Sequence, residues 1–317
     1  MAPPPRSTRA LVEAALLAAL TVVFCLATIY IPLLGMVTGF FWPVPIVLLA
    51  VRHDFRLASL ATIVAGLLVG MLAGPLTALS MFLGLGVLGL VLGSSIRRRV
   101  PPLQAVALGA IALLVSLIVF FVFSLAVIGI NPLQDYLAMY QESMEGVLNF
   151  YKGLGLDSDT LSRMEETLSQ TLSMMRYLVP MALVAGSATL SFLNFTLARA
   201  VLGRLGSSYP GFPPFASWHF PRTVAYGYIA GIAALMMGNY YGQELFTHIG
   251  LNIQAIFQLA LLLQGIAVAW YFMMRFNVPA ALRIIGLVLV FFTPFFSQML
   301  FFLGLFDTFF DFRHLRT

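Results

Sequence analysis

Residues 103–130 read LQAVALGAIALLVSLIVFFVFSLAVIGI, twenty-eight positions without an Asp, Glu, Lys or Arg. About 20 apolar residues wound as an α-helix cross the hydrocarbon of a bilayer. The stretch shows no alternation of polar and apolar positions. In lipid its peptide groups must bond within the segment, which a helix achieves and an open strand does not. Apolar runs of the same kind flank it. Upstream they cover about 10–31, 36–51, 57–74 and 76–95; downstream they cover about 177–203, 223–241, 252–274 and 280–305. The sequence therefore predicts an all-α, polytopic transmembrane helix bundle of about nine spans. Composition agrees. The chain is 61% hydrophobic and 9% charged, with mean hydropathy +0.97, against roughly 25% charged residues in soluble domains. A core built from 317 residues cannot hide that much apolar surface from water, so lipid is the solvent for most of it.

The breaks between runs carry the orientation. Prolines from Pro32 to Pro45 surround Trp42 and predict a kinked, partly re-entrant second span. Arg52-His53-Asp54-Phe55-Arg56 forms a polar hairpin, Gly74-Pro75 a turn, and Arg97-Arg98-Arg99 a basic stop. Sixteen of the 17 basic residues are Arg, and they sit at segment ends. They read as topology determinants, not as a nucleic-acid surface. A cytoplasmic N-terminus puts twelve of the 17 inside, namely Arg6, Arg9, Arg52, Arg56, Arg97, Arg98, Arg99, Arg199, Arg204, Arg222, Arg275 and Arg283. The tail is the exception, because nine spans leave Arg313 and Arg316 outside. A last span broken at Pro294 into a hairpin returns them inside. The chain is thus expected in a bacterial cytoplasmic (inner) membrane. Cys25, the only cysteine, forms no internal disulfide.

Residues 131–176 interrupt the pattern. They hold seven of the 12 acidic residues and two apolar stripes at helical spacing. One runs through Leu133, Leu137, Tyr140, Met144 and Tyr151, the other through Leu161, Met164, Leu168 and Met175. Asp157 to Asp159 supply N-cap chemistry for the second. The sequence thus divides into an N-terminal five-span region at 1–130, an extracytoplasmic amphipathic helical insert at 131–176, and a four-span region with tail at 177–317. The insert is expected on the membrane surface or as a hairpin against the spans.

Polar residues at membrane depth are costly and mark functional candidates. Here they are amides: Asn194 in the sixth span, Gln254 and Gln258 one turn apart in the eighth, Gln264 further along, and Gln298 after the Thr293-Pro294 break. An amide lining suits a polar, uncharged or weakly charged solute; hydrogen bonding between helices is the plainer alternative. Ala14, Ala15, Ala18 and Ala19 form overlapping small-xxx-small pairs on the first helix. Such pairs permit close helix approach, either within the bundle or to a separate membrane partner. Gly66, Gly70 and Gly74 repeat the device in the third span; Gly86, Gly89 and Gly93 extend it to the fourth. Asp307 and Asp311 lie one turn apart in the tail, where pairing with Arg313 is the simplest reading.

The signatures of other classes are missing. His53, His219, His248 and His314 are scattered, with no H-E-x-x-H. There is no Walker loop and no G-x-S-x-G. No catalytic residue, metal or cofactor is expected, and the chain does not read as an enzyme.

The whole chain resembles the YybS-like family of bacterial membrane proteins (DUF2232). The resemblance rests on the alanine-rich first span, the glycine-rich third and fourth, the outward insert, Asn194, and the ending Gly304-Leu-Phe-Asp307…Asp311-Phe-Arg313. The first two hundred residues are also similar to the substrate-binding (S) component of energy-coupling factor vitamin transporters. In that group a small-xxx-small motif on the first helix docks a membrane coupling subunit, and the ATPases are separate chains. The resemblance implies that docking role for Ala14, Ala15, Ala18 and Ala19. Those components have about six spans, fewer than here. Two functions are therefore expected: a solute-binding membrane component of an importer, or a structural or regulatory envelope protein acting through its insert.

Overall fold

Prolines start five of the helices, where a fixed φ suits the first turn and a missing N–H is no loss. The computed structural model describes residues 8–315; Arg6 and Arg316 of the charge pattern lie outside the described residues. In chain order the helices are α1 (Thr8–Tyr30), α2 (Pro32–Phe41), α3 (Val44–Arg52), α4 (Phe55–Ala73), α5 (Pro75–Met81), α6 (Val87–Arg97) and α7 (Pro102–Phe123). Then come α8 (Pro132–Gly153), α9 (Ser158–Arg204), α10 (Thr223–Tyr241), α11 (Glu244–Arg275), α12 (Ala280–Phe292) and α13 (Pro294–Phe310). One π-helical turn, Phe82–Gly86, joins α5 to α6, and another, Ser124–Ile128, ends α7. Among the described residues seven segments are long and apolar enough to cross a membrane, with α2–α3 and α5–α6 each counted as one. The 19-residue α10 is less apolar because it carries Tyr226, Tyr228, Asn239, Tyr240 and Tyr241.

The chain forms two units. The first takes the residues up to Tyr140 together with Leu183–Gly211. It holds six crossings: α1, α2–α3, α4, α5–α6, α7 and the C-terminal part of α9. Ala14, Ala18, Val22 and Cys25 of α1 share a buried cluster with Leu57, Ala58, Ala61 and Ala65 of α4. Gly89 and Gly93 let α6 approach Ile46, Val47 and Ala50 of α3. The glycine stripe of the fourth span is thus used for internal packing. Asp54 caps α4 by accepting from Leu57 N–H at 2.9 Å. Beyond α9, the Tyr209 hydroxyl donates to the Val100 carbonyl, and Arg99 donates to the Ser208 carbonyl at 3.1 Å. Burial pushes the Tyr209 phenol up, against the pull of Arg99.

The second unit takes Gln141–Ala182 and the residues from Phe212 onward. Here α10 and α11 form a close hairpin in which Gly227, Gly231 and Gly238 face Phe257, Gln254 and Thr247. Gly265 and Gly304 bring α11 and α13 nearly backbone to backbone. The last two helices bend by 103° at the Thr293-Pro294 break. Arg283 near the start of α12 lies over the Trp270 ring of α11, 5.0 Å from its centroid. Past α13, Leu315 lines one pocket with Arg275 and Ala216. The pair therefore leaves from and returns to one end of the unit. The break at Pro294 that the sequence marks is present, and its 103° bend fits a broken span or a re-entrant pair.

The insert differs from expectation. Its second helix is the beginning of α9, a single helix of 47 residues, about 70 Å long at 1.5 Å per residue. Polarity changes near residue 177, but the backbone does not break. Pro180 lies inside the helix, where a proline normally kinks it. Asn252 of α11 compensates: its amide donates to the Tyr177 carbonyl at 2.7 Å and accepts from Met181 N–H at 2.9 Å. The insert's first helix, α8, buries only Leu137.

Candidate functional site

In the first unit α4 carries Gly66 and Gly70 on the side that faces α5. A methyl at Gly66 would overlap the Phe82 ring, and one at Gly70 would lie 3.3 Å from Ala78 Cβ. The glycines of the third span therefore receive α5 and its π-turn. An outward cleft of about 560 Å³ opens beside them, lined by Ile63, Leu67, Met71, Leu79, Phe82 and Leu83 among others. The volume falls in the roughly 300–1,000 Å³ range of small-molecule sites, yet the lining is apolar throughout. Behind it lies an inner cavity of about 10 Å³, lined by Thr21, Cys25, Trp42 and Thr62 among others. Gly66, Ala78 and Phe82 belong to the walls of both.

Phe82, on the wall shared by cleft and cavity, opens an irregular turn. Gly84, inside the π-turn, has φ −81° and ψ −110°, outside the helical region. The Ser116 hydroxyl of α7 donates to the Leu83 carbonyl there. π-Turns inside helices frequently accompany functional sites. The hydroxyls of Thr21 and Thr62 donate to carbonyls of their own helices, Leu17 and Ala58, and retain lone pairs toward the cavity they line.

The sequence candidates fall into several environments. Asn194 belongs to the first unit and is fully buried on a face of α9 shared with Ser187 and Ser191. Ser191 donates to the Val106 carbonyl at 2.8 Å, and Asn194 donates to the Leu190 carbonyl at 3.0 Å. Asn194 Oδ1 and Ser187 Oγ are buried without a hydrogen-bond partner among the described residues. The four glutamines belong to the second unit. Gln264 is buried; its amide donates to Asp307 at 2.9 Å and its oxygen accepts from Phe220 N–H at 2.9 Å. Asp307 pairs with Arg313 at 2.9 Å, and both side chains are buried. Arg313 also donates to the Ala216 and Trp218 carbonyls. The tail pairing read from the sequence is therefore present, and Gln264 serves it. Gln254 and Gln258 are half-buried, and Gln298 is exposed. No arrangement within the second unit gathers the four glutamines around one cavity among the described residues.

The alanines of α1 divide as well. Ala14 and Ala18 are buried, whereas Ala15 and Ala19 are exposed beside Leu11, Leu16 and Leu20. Phe82, Thr21 and Thr62 are not among the sequence candidates. The signal that could find them is Gly66 and Gly70 at helical spacing, which mark where a bulky group on another segment comes to rest.

Together these features define a polytopic α-helical integral membrane protein with an apolar cleft in a six-crossing unit. A family described as "Predicted membrane protein (DUF2232)" matches residues 19–308, and the chain belongs to it. The chain is similar to "Uncharacterized protein YybS" of Bacillus subtilis (strain 168), with 27% identity over 309 residues covering 98% of this chain and 99% of that protein. No solved structure matches.

Proposed function

We propose that the chain is the ligand-binding membrane component of an uptake system, similar to the S component of energy-coupling factor transporters, with no enzymatic activity of its own. The observation that carries this reading is the first unit. Its six crossings match the span number that the resemblance implies, while the additional helices collect in the second unit. The outward cleft of about 560 Å³ in that first unit offers the ligand a place. Its apolar lining favours a molecule with an apolar body. The arginine pattern favours a bacterial cytoplasmic membrane with the N-terminus inside. A coupling subunit would dock on the outward face of α1, where Ala15 and Ala19 remain exposed.

Thermal unfolding of the detergent-purified protein across a metabolite library tests the proposal. A ligand present at 100 times its Kd stabilises by about 2.7 kcal/mol and raises the unfolding temperature. A library that leaves the transition unmoved, with no partner captured by a photocrosslinker at Ala19 in cells, contradicts it.

The continuous α9 favours a second reading, regulation through the insert. A 47-residue helix exceeds the roughly 30 Å hydrocarbon thickness and joins extramembrane sequence to a span without a hinge. Removing 132–153 then abolishes cellular function while ligand binding persists; under the first reading, binding and function fail or survive together.

A further inference from the structure

We infer that α5 and its π-turn form a hinged gate, and that Phe82 closes the passage from the outward cleft to the inner cavity. The inference deepens the ligand-binding reading, on which it rests, since it names the route and the kind of ligand. α5 has seven residues and a glycine outside helical geometry on either side. Gly74 has φ +94° and Gly84 has ψ −110°. A Cβ at either would meet nothing within 4 Å, although Gly84 is buried and Gly74 is half-buried. Between these hinges Phe82 lies on Gly66 and Ala78 on Gly70, two close approaches that glycine on α4 permits, and Ala78 also joins the buried cluster of Ala65, Val69 and Trp42. Both contacts are apolar and break without leaving a buried polar group unpaired. The Ser116–Leu83 hydrogen bond fixes the C-terminal end of the segment to α7 beside Gly84, so the movement assigned to the gate is a swing of residues 75–82 about that end.

Rotation of Phe82 away from Gly66 removes the wall shared by the two cavities. The merged space joins an apolar cleft facing the bilayer to the threonine hydroxyls of Thr21 and Thr62, beside Trp42. It suits a molecule with an apolar body and one hydrogen-bonding end, entering laterally through lipid.

The test needs no ligand, so its failure and the failure of the binding screen are distinguishable. The full chain carrying Gly70→Cys and Ala78→Cys in a Cys25→Ala background is reconstituted into phospholipid vesicles. A lipid-dissolved aryl diazirine is photolysed, and the insertion sites are mapped by mass spectrometry. Oxidation, which joins the two introduced thiols in a disulfide and fixes α5 to α4, is expected to lower labelling of Thr21 and Trp42 by about fivefold or more, because labelling follows the open population. Labelling of Leu67 and Met71 on the outer cleft stays the same, and reduction restores the inner label. Phe82→Ala in the native background is expected to raise inner labelling. Inner labelling equal in the oxidised and reduced protein overturns the gate. So does inner labelling absent from both the native chain and Phe82→Ala, provided that the outer cleft is labelled in each.

Discussion

The Arg313 guanidinium is buried and meets one carboxylate and two loop carbonyls. Replacing Arg313 with Ala leaves Asp307 buried without its cationic partner, which costs about 3–5 kcal/mol. The expected outcome is a large fall in unfolding temperature in detergent. Asp307→Leu with Arg313→Met recovers part of the loss, because an apolar pair avoids the desolvation of both charges while the Gln264 amide and two loop carbonyls still lose their partners. Asp157 makes a different prediction. The Thr160 hydroxyl and N–H hold its carboxyl below the usual carboxylate value. A depressed folded-state value means that the cap is fully present above the ordinary Asp range and is lost as pH falls through the lowered value. Amide exchange in the first turn of α9, corrected for intrinsic rate, should rise in that acidic window, and Asp157→Asn should abolish the change. The Asp157 cap is legible in the sequence because a cap acts within one turn. The Gln264–Asp307 bond is not, because its partners lie 43 positions apart and neither has local periodicity that names the other.

At the scale of elements, span positions are legible because hydrophobicity decides them: α4 occupies Phe55–Ala73, where 57–74 is expected. The end of the insert is not. A change from polar to apolar sequence looks like a boundary, but helix continuity depends on backbone bonds, and Asn252 from a distant helix supplies them at Pro180. Asn252→Leu removes both partners and should cost about 1 kcal/mol, because the Tyr177 end is exposed and the Met181 end only partly buried. Hydrogen exchange is the check: protection around 177–181 falls in the variant and is continuous in the native chain. Faster exchange at 177–181 in the native chain itself would contradict a single α9. The α12–α13 pair is ambiguous in the sequence because Pro294 permits either a kinked span or a returning hairpin. The neighbours of Arg313 and Leu315 bring the tail back beside the end of α11, and cysteine labelling at the tail tests on which side of the membrane that end lies.

At the scale of the molecule, the division into two units crosses the order of the sequence. The chain enters the second unit at Gln141, returns to the first at Leu183 and leaves it again after Gly211. A reading that proceeds along the chain places a boundary at residue 130 and another at 176, where composition shifts; the units follow packing instead. The amide candidates are scattered for the same reason, since membrane depth is legible in a sequence and lateral position is not. The crossing pattern underlies the units, the cleft and the proposed orientation alike. Its most direct measurement is labelling of single cysteines, in a Cys25→Ala background, by an impermeant maleimide in intact cells. Cysteine in place of Arg98, Ser207 or His314 should be protected until the membrane is opened, whereas cysteine in place of Glu145 or Gln243 should react at once. Reaction at His314 together with Gln243, or protection at Glu145, would contradict the account.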